Sequence, residues 1–110
     1  MSIAAQDKAI AQTIINQMGG GRRLQMMVGV TTFVALPSSS DQLGGLAFQF
    51  KGSRKANYLE VILCPDDTYT LKFCRYGLKQ KQSIVKEFES VYCDQLIETF
   101  ENFTGLYLSL

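Results

Sequence analysis

Residues 58–76 read YLEVILCPDDTYTLKFCRY, and this stretch decides the fold. Tyr58–Cys64 and Thr68–Tyr76 are rich in β-branched and aromatic residues, the composition of strands. Pro65-Asp66-Asp67 lies between them. Proline presets φ for a turn, and aspartate side chains hydrogen-bond the backbone just beyond it. Two strands and a turn of this length form an antiparallel hairpin.

The pattern continues on both sides. Toward the C-terminus, Gly77–Gln82 reads as a basic turn. Ser83–Val91 reads as a strand, with Ile84, Lys86 and Phe88 alternating against Val85, Glu87 and Glu89. A helix is expected over 93–104, with Leu96, Ile97, Phe100 and Phe103 buried and Glu98 and Glu101 in water. Asp94 sits in its first turn, where the helix dipole favours a negative charge, and Gly105 ends it. The residues after Gly105 are too apolar for a free tail, so the C-terminus is expected to dock.

Toward the N-terminus, Gly52–Asn57 is a second basic turn. Leu46, Phe48 and Phe50 alternate with Ala47, Gln49 and Lys51, a strand preceded by the polar loop from Pro37 to Gly45. Leu24, Met26, Val28 and Val30 alternate with Gln25, Met27 and Gly29, which reads as the first strand. Ile10, Ile14 and Met18 recur at helical spacing, so 1–18 is expected to be helical. Gly19, Gly20 and Gly21 then form a breaker and hinge on which this helix can swing or swap onto a second copy.

The expected fold is therefore a single α+β domain over 1–110. It has an N-terminal helix (1–18), a glycine joint (19–21), one antiparallel sheet of about five strands (22–92) and a C-terminal helix (93–104). Both helices should cover one face of the sheet, leaving a wetter face for a partner. A chain of 110 residues has room for one core. With 46% apolar and 19% charged residues it is a folding chain, unlike disordered sequences.

No run approaches the roughly 20 apolar residues of a membrane span, and no signal-peptide pattern opens the chain. Cys64, Cys74 and Cys93 are odd in number and widely spaced, which fits reduced, mostly buried thiols in a cytoplasmic protein.

The net charge of +1 hides an asymmetry. Residues 22–55 carry Arg22, Arg23, Lys51, Arg54 and Lys55 against Asp41, a net of +4. Residues 83–110 carry Lys86 against Glu87, Glu89, Asp94, Glu98 and Glu101, a net of −4. A dipolar surface that can steer a charged partner is expected.

Three segments carry a family likeness: Gln17-Met18-Gly19-Gly20-Gly21-Arg22-Arg23 running on to Thr32-Phe33; Asp67-Thr68-Tyr69-Thr70-Leu71-Lys72-Phe73; and Val91-Tyr92-Cys93-Asp94-Gln95-Leu96 through Phe103-Thr104-Gly105-Leu106. Together, over most of residues 14–110, the chain resembles a family of small uncharacterised proteins encoded by bacteriophages and other mobile elements. It departs from that family in the Ser38–Gly45 loop. The resemblance implies a phage or prophage origin, hence the cytoplasm of an infected or lysogenic bacterial host. It brings no reaction and no catalytic residue.

The residues themselves argue against catalysis. There is no histidine, so Ser-His and Cys-His pairs and the commonest metal ligand are missing. No Cys-x-x-Cys pair exists, and neither a metal nor a cofactor is expected. Asp66-Asp67 reads as a turn, and Glu87 and Glu89 as solvated charges of a strand. The glycines of 19–21 follow a helix and precede an expected strand, the reverse of a phosphate-binding loop.

The leading expectation is a non-enzymatic accessory protein, expected to be a homodimer, that binds a host protein or complex, in the manner of a counter-defence factor. The alternative is a nucleic-acid-binding protein for DNA or RNA. Its candidate contacts are Arg22 and Arg23, Lys51, Arg54 and Lys55, and Lys79 and Lys81, with Tyr58 and Tyr76 placed to stack on bases. In an antiparallel meander these turns can fall at one end of the sheet. A third possibility is a small-ligand site in the sheet lined by Phe48, Tyr69 and Phe73, with Cys64 or Cys93 as reactive thiol.

Overall fold

The computed structural model describes residues 5–30, 32–40, 42–77, 80–106 and 108, with side chains from residue 8 onward except 76–83. Its elements in chain order are α1 (Ala5–Gln17), α2 (Gly21–Val28), β1 (Phe33–Leu36), β2 (Gly44–Gln49), β3 (Tyr58–Leu63), β4 (Tyr69–Gly77) and β5 (Gln80–Val91). A short 3₁₀ turn (Cys93–Gln95) then leads into α3 (Leu96–Thr104). The strands form one antiparallel sheet in the order β1-β2-β3-β4-β5, so the α+β meander is as expected. No described helix is long and apolar enough to cross a membrane.

The first strand is a correction. Residues 24–30 do not form a strand, and Arg22 and Arg23 do not open one. Gly21–Val28 is helical, and the first strand begins later, at Phe33. Arginine, leucine, glutamine and methionine are good helix formers, and Leu24 and Val28 share one helical face. Both are buried, whereas Met26 is 78% exposed, which breaks the period of two. Gly29 ends α2 in the left-handed conformation at φ 71. Its N–H reaches the carbonyl of Gln25, the 5→1 bond of an αL helix end, and the N–H of Val30 reaches that of Leu24. Val30 is thus buried as the residue closing a helix end.

The joint shortens accordingly. Gly19 and Gly20 take φ of 105 and 99, and Gly21 is already the first residue of α2. The N-terminal helix lies on its own chain, over β1 and β2, with Ile14 and Met18 fully buried. The Tyr69 hydroxyl donates to Gln17 Oε1 at 2.8 Å, tying the end of α1 to β4.

One face of the sheet carries Leu46 and Phe48 (β2), Leu59 and Val61 (β3), and Leu71 and Phe73 (β4), all buried. The N-terminal helix covers one half of this face and α3 the other. Phe50 meets Phe100 at 5.1 Å, Phe73 meets Phe103 at 4.5 Å, and Phe88 meets Phe103 at 5.9 Å between centroids. Such pairs add about 0.5–1.5 kcal/mol each beyond their buried area. After α3, Leu108 docks as expected: it is fully buried and its N–H donates to Glu101 Oε2 at 2.7 Å.

The opposite face is open. Its middle row pairs Val34 with Ala47, Ala47 with Glu60, Glu60 with Lys72, and Lys72 with Glu87. The neighbouring row pairs Gln49 with Tyr58, Tyr58 with Cys74, and Cys74 with Ile84. Along the β4–β5 ladder the register shifts three times, each shift inserting a residue on β5. Bulges of this kind twist an edge strand away from unwanted pairing.

Candidate functional site

The meander places alternate connections at opposite ends. Because Tyr58 pairs with Cys74, and Gly77 with Gln80, the 50–57 loop and the β4–β5 turn lie at the same end. Because Tyr69 pairs with both Leu63 and Val91, the Pro65–Asp67 turn lies at the other.

The 50–57 loop is held by its backbone. The Phe50 N–H donates to the Asn57 carbonyl at 3.0 Å, closing the loop at its base. The Lys51 N–H donates to the Val28 carbonyl at 2.8 Å, and the Asn57 N–H to the Cys74 carbonyl at 3.0 Å, tying the loop to α2 and to β4. At its tip Gly52 takes φ of 102, a conformation that suits glycine. Ser53 Oγ donates to the Thr104 carbonyl at 3.0 Å, satisfying an acceptor at the end of α3.

With the backbone so occupied, the cationic side chains face water. Lys51, Arg54 and Lys55 are exposed, as is Arg75 on the adjoining strand. The Arg75 guanidinium donates to the Arg54 carbonyl at 3.1 Å, stapling the loop to β4. The Lys55 ammonium stands 5.4 Å from the centroid of Phe103, in the last turn of α3, which has no basic residue of its own there. Residues 50–57 and 73–77 contain no acidic residue.

The predicted contacts thus divide. Lys51, Arg54, Lys55 and Tyr58 come together, joined by Arg75, which sequence reasoning missed. Its position inside a strand hid it, although it directly precedes the singled-out Tyr76. The expected Gly77–Gln82 turn is shorter than the sequence suggests: β4 runs through Tyr76 to Gly77 and β5 already begins at Gln80, so Lys81 lies on a strand at the same end of the sheet, and Lys79 lies outside the described residues. Arg22 and Arg23 stand apart. They occupy the first turn of α2, about 10 Å along the helix from its junction with Lys51. There they flank a depression of about 350 Å³ with Gly19, Met26 and Met27.

The opposite end is acidic. Asp66 Oδ1 accepts the Thr68 hydroxyl at 2.6 Å and the Thr68 N–H at 3.1 Å, which hold the Asp66 carboxyl below its ordinary value of 3.8. Asp67 takes φ of 66, the left-handed position of the turn. Asp66 and Glu89 border one depression, and no group of metal-ligating residues assembles among the described residues.

The proposed sheet pocket does not form. Phe48, Tyr69 and Phe73 are core residues, with Phe48 at the edge of one depression and Tyr69 at the edge of another. Burial, followed by the nearby Cys93, pushes the Tyr69 phenol up from its ordinary 10.0. The thiols also depart from the expectation of general burial: Cys74 is buried, Cys64 is half-buried and Cys93 is exposed. The chain matches no family model, no curated protein and no solved structure.

Proposed function

We propose that this protein acts by binding, without catalysis, and that the basic end of its sheet takes the phosphate backbone of a nucleic acid. The observation behind this reading is the convergence of Lys51, Arg54, Lys55 and Arg75 at one end of the meander, with no carboxylate in either contributing segment. Asp66, Asp67 and Glu89 lie toward the other end. Such polarity orients an approaching polyanion and speeds its encounter. Phosphate contacts of this kind bind without regard to sequence and weaken as salt rises.

The test is fluorescence anisotropy with labelled DNA and RNA oligonucleotides from 50 to 300 mM salt. Binding whose affinity falls linearly on a log-log salt plot supports the reading. Absence of binding to every polymer at 50 mM salt overturns it.

A second reading keeps the phage-encoded accessory factor that binds a host protein, with a counter-defence role. It is favoured by exposed aliphatics: Val34 is 50% exposed, and Ile84 and Val85 on β5 are 57% and 44% exposed. Capture of a host protein that survives nuclease and is lost on Val34→Glu with Ile84→Glu would select this reading. Sedimentation of the full chain tests the expected homodimer.

A further inference from the structure

The polymer is further defined by what lies beside the cations. The row Gln49–Tyr58–Cys74–Ile84 is the open-face row nearest the basic end. Next to it, a depression of about 240 Å³ is bordered by Thr32, Val34, Gln49 and Tyr58, with Phe48 of the core at its edge. Its lining combines an aromatic ring, an aliphatic wall, a hydroxyl and a primary amide. A second depression of about 210 Å³ shares Gln49 and is bordered by Lys51, Asn57, Gly29 and Phe50. A largely apolar slot with hydrogen-bonding groups therefore adjoins a more polar one beside a lysine. A nucleotide presents the same succession: a flat base with polar edges, then a phosphate.

We infer that the slot between Val34 and Tyr58 receives an unpaired base, so that the ligand is a single-stranded nucleic acid whose backbone follows Lys51 toward Arg75. This rests on the nucleic-acid reading above and narrows it. A duplex keeps its bases stacked inward and has no face to offer Tyr58, whereas a single strand exposes one at every step. The next row limits the footprint. Glu60 and Glu87 pair on either side of Lys72, roughly 7 Å further along the strands, and repel a backbone continuing across the sheet. The strand is thus kept at the basic end.

Three labelled ligands of equal length separate base from backbone: a 12-nucleotide oligo(dT), the same oligomer with abasic residues, and a 12-base-pair duplex. The full-length protein is titrated with each at 50 mM salt. Oligo(dT) should bind about 10-fold tighter than the abasic strand, the scale of one stacked base, and tighter than the duplex. Tyr58→Phe should preserve this difference, and Tyr58→Ala, checked for an intact fold by circular dichroism, should abolish it. Equal affinity for oligo(dT) and the abasic strand, or tighter duplex binding, overturns the base slot and leaves the phosphate-binding reading standing. Absence of binding to all three overturns both.

Discussion

Arg54 and Lys55 are adjacent, equally cationic and equally exposed, yet their replacement should have different consequences. Arg54 engages the fold through its carbonyl, which accepts the Arg75 guanidinium, and alanine keeps that carbonyl. Arg54→Ala should therefore change stability by no more than about 0.5 kcal/mol. Lys55 lies over the Phe103 ring beside the uncompensated end of α3, so Lys55→Ala should destabilise the fold by roughly 0.5–1 kcal/mol.

For binding the two should be alike. Each lost phosphate contact on a single strand lowers the log-log salt slope by about 0.7, which corresponds to roughly 8-fold in affinity at 50 mM salt. The double variant should lose about 60-fold at 50 mM, while each single loss shrinks to under about 2-fold at 0.5 M. Urea denaturation gives the stabilities, and anisotropy across the salt range gives the slopes. Arg54→Ala binding as tightly as wild type at 50 mM salt, with its fold intact, would exclude Arg54 as a phosphate contact.

The remaining predictions concern the frame. A side chain at Gly45 would meet the Val61 carbonyl of the neighbouring strand, so Gly45→Ala should destabilise by about 2–4 kcal/mol in urea unfolding. Gly21 is helical and has room beside Ile15 and Phe33, so Gly21→Ala should stabilise by roughly 0.5–1 kcal/mol; a loss there would contradict the start of α2. Asp66 titrates below its ordinary 3.8, so its stabilising effect is complete above that value and drains away as pH falls through the folded-state pKa. Thr68→Val should move the Asp66 midpoint back up, as read by NMR carboxyl titration, and an unmoved midpoint would contradict the assigned cause.

The hairpin from Tyr58 to Tyr76, strand β5 and helix α3 were legible because local and tertiary signals agree there. Period-two residues meet good turn chemistry at Pro65–Asp67, and the Leu96, Phe100 and Phe103 stripe follows helical spacing. The segment 24–30 misleads because apolar residues at 24, 26, 28 and 30 suit both periods. Only the exposure of Met26 and the αL conformation of Gly29 resolve it, and Gly29 was the overlooked signal. That the 50–57 loop and the paired Gly77 and Gln80 fall at one end of the sheet followed from meander order, which short connections imply. Arg75 was not legible, since its partner carbonyl lies 21 residues away in sequence. Tyr58 was legible as an aromatic beside a basic turn, but the slot it shares with Val34 depends on where β1 begins.

If the protein binds as proposed, the basic end of the sheet is its working surface. Amide chemical-shift mapping of the full-length protein with the 12-nucleotide oligo(dT) tests it most directly. Perturbations are expected at Gly29, along Gln49–Tyr58 and at Cys74 and Arg75, with the Cys64–Thr68 turn undisturbed. Perturbations centred on that acidic turn and on Glu89–Asp94, or none anywhere, would contradict it.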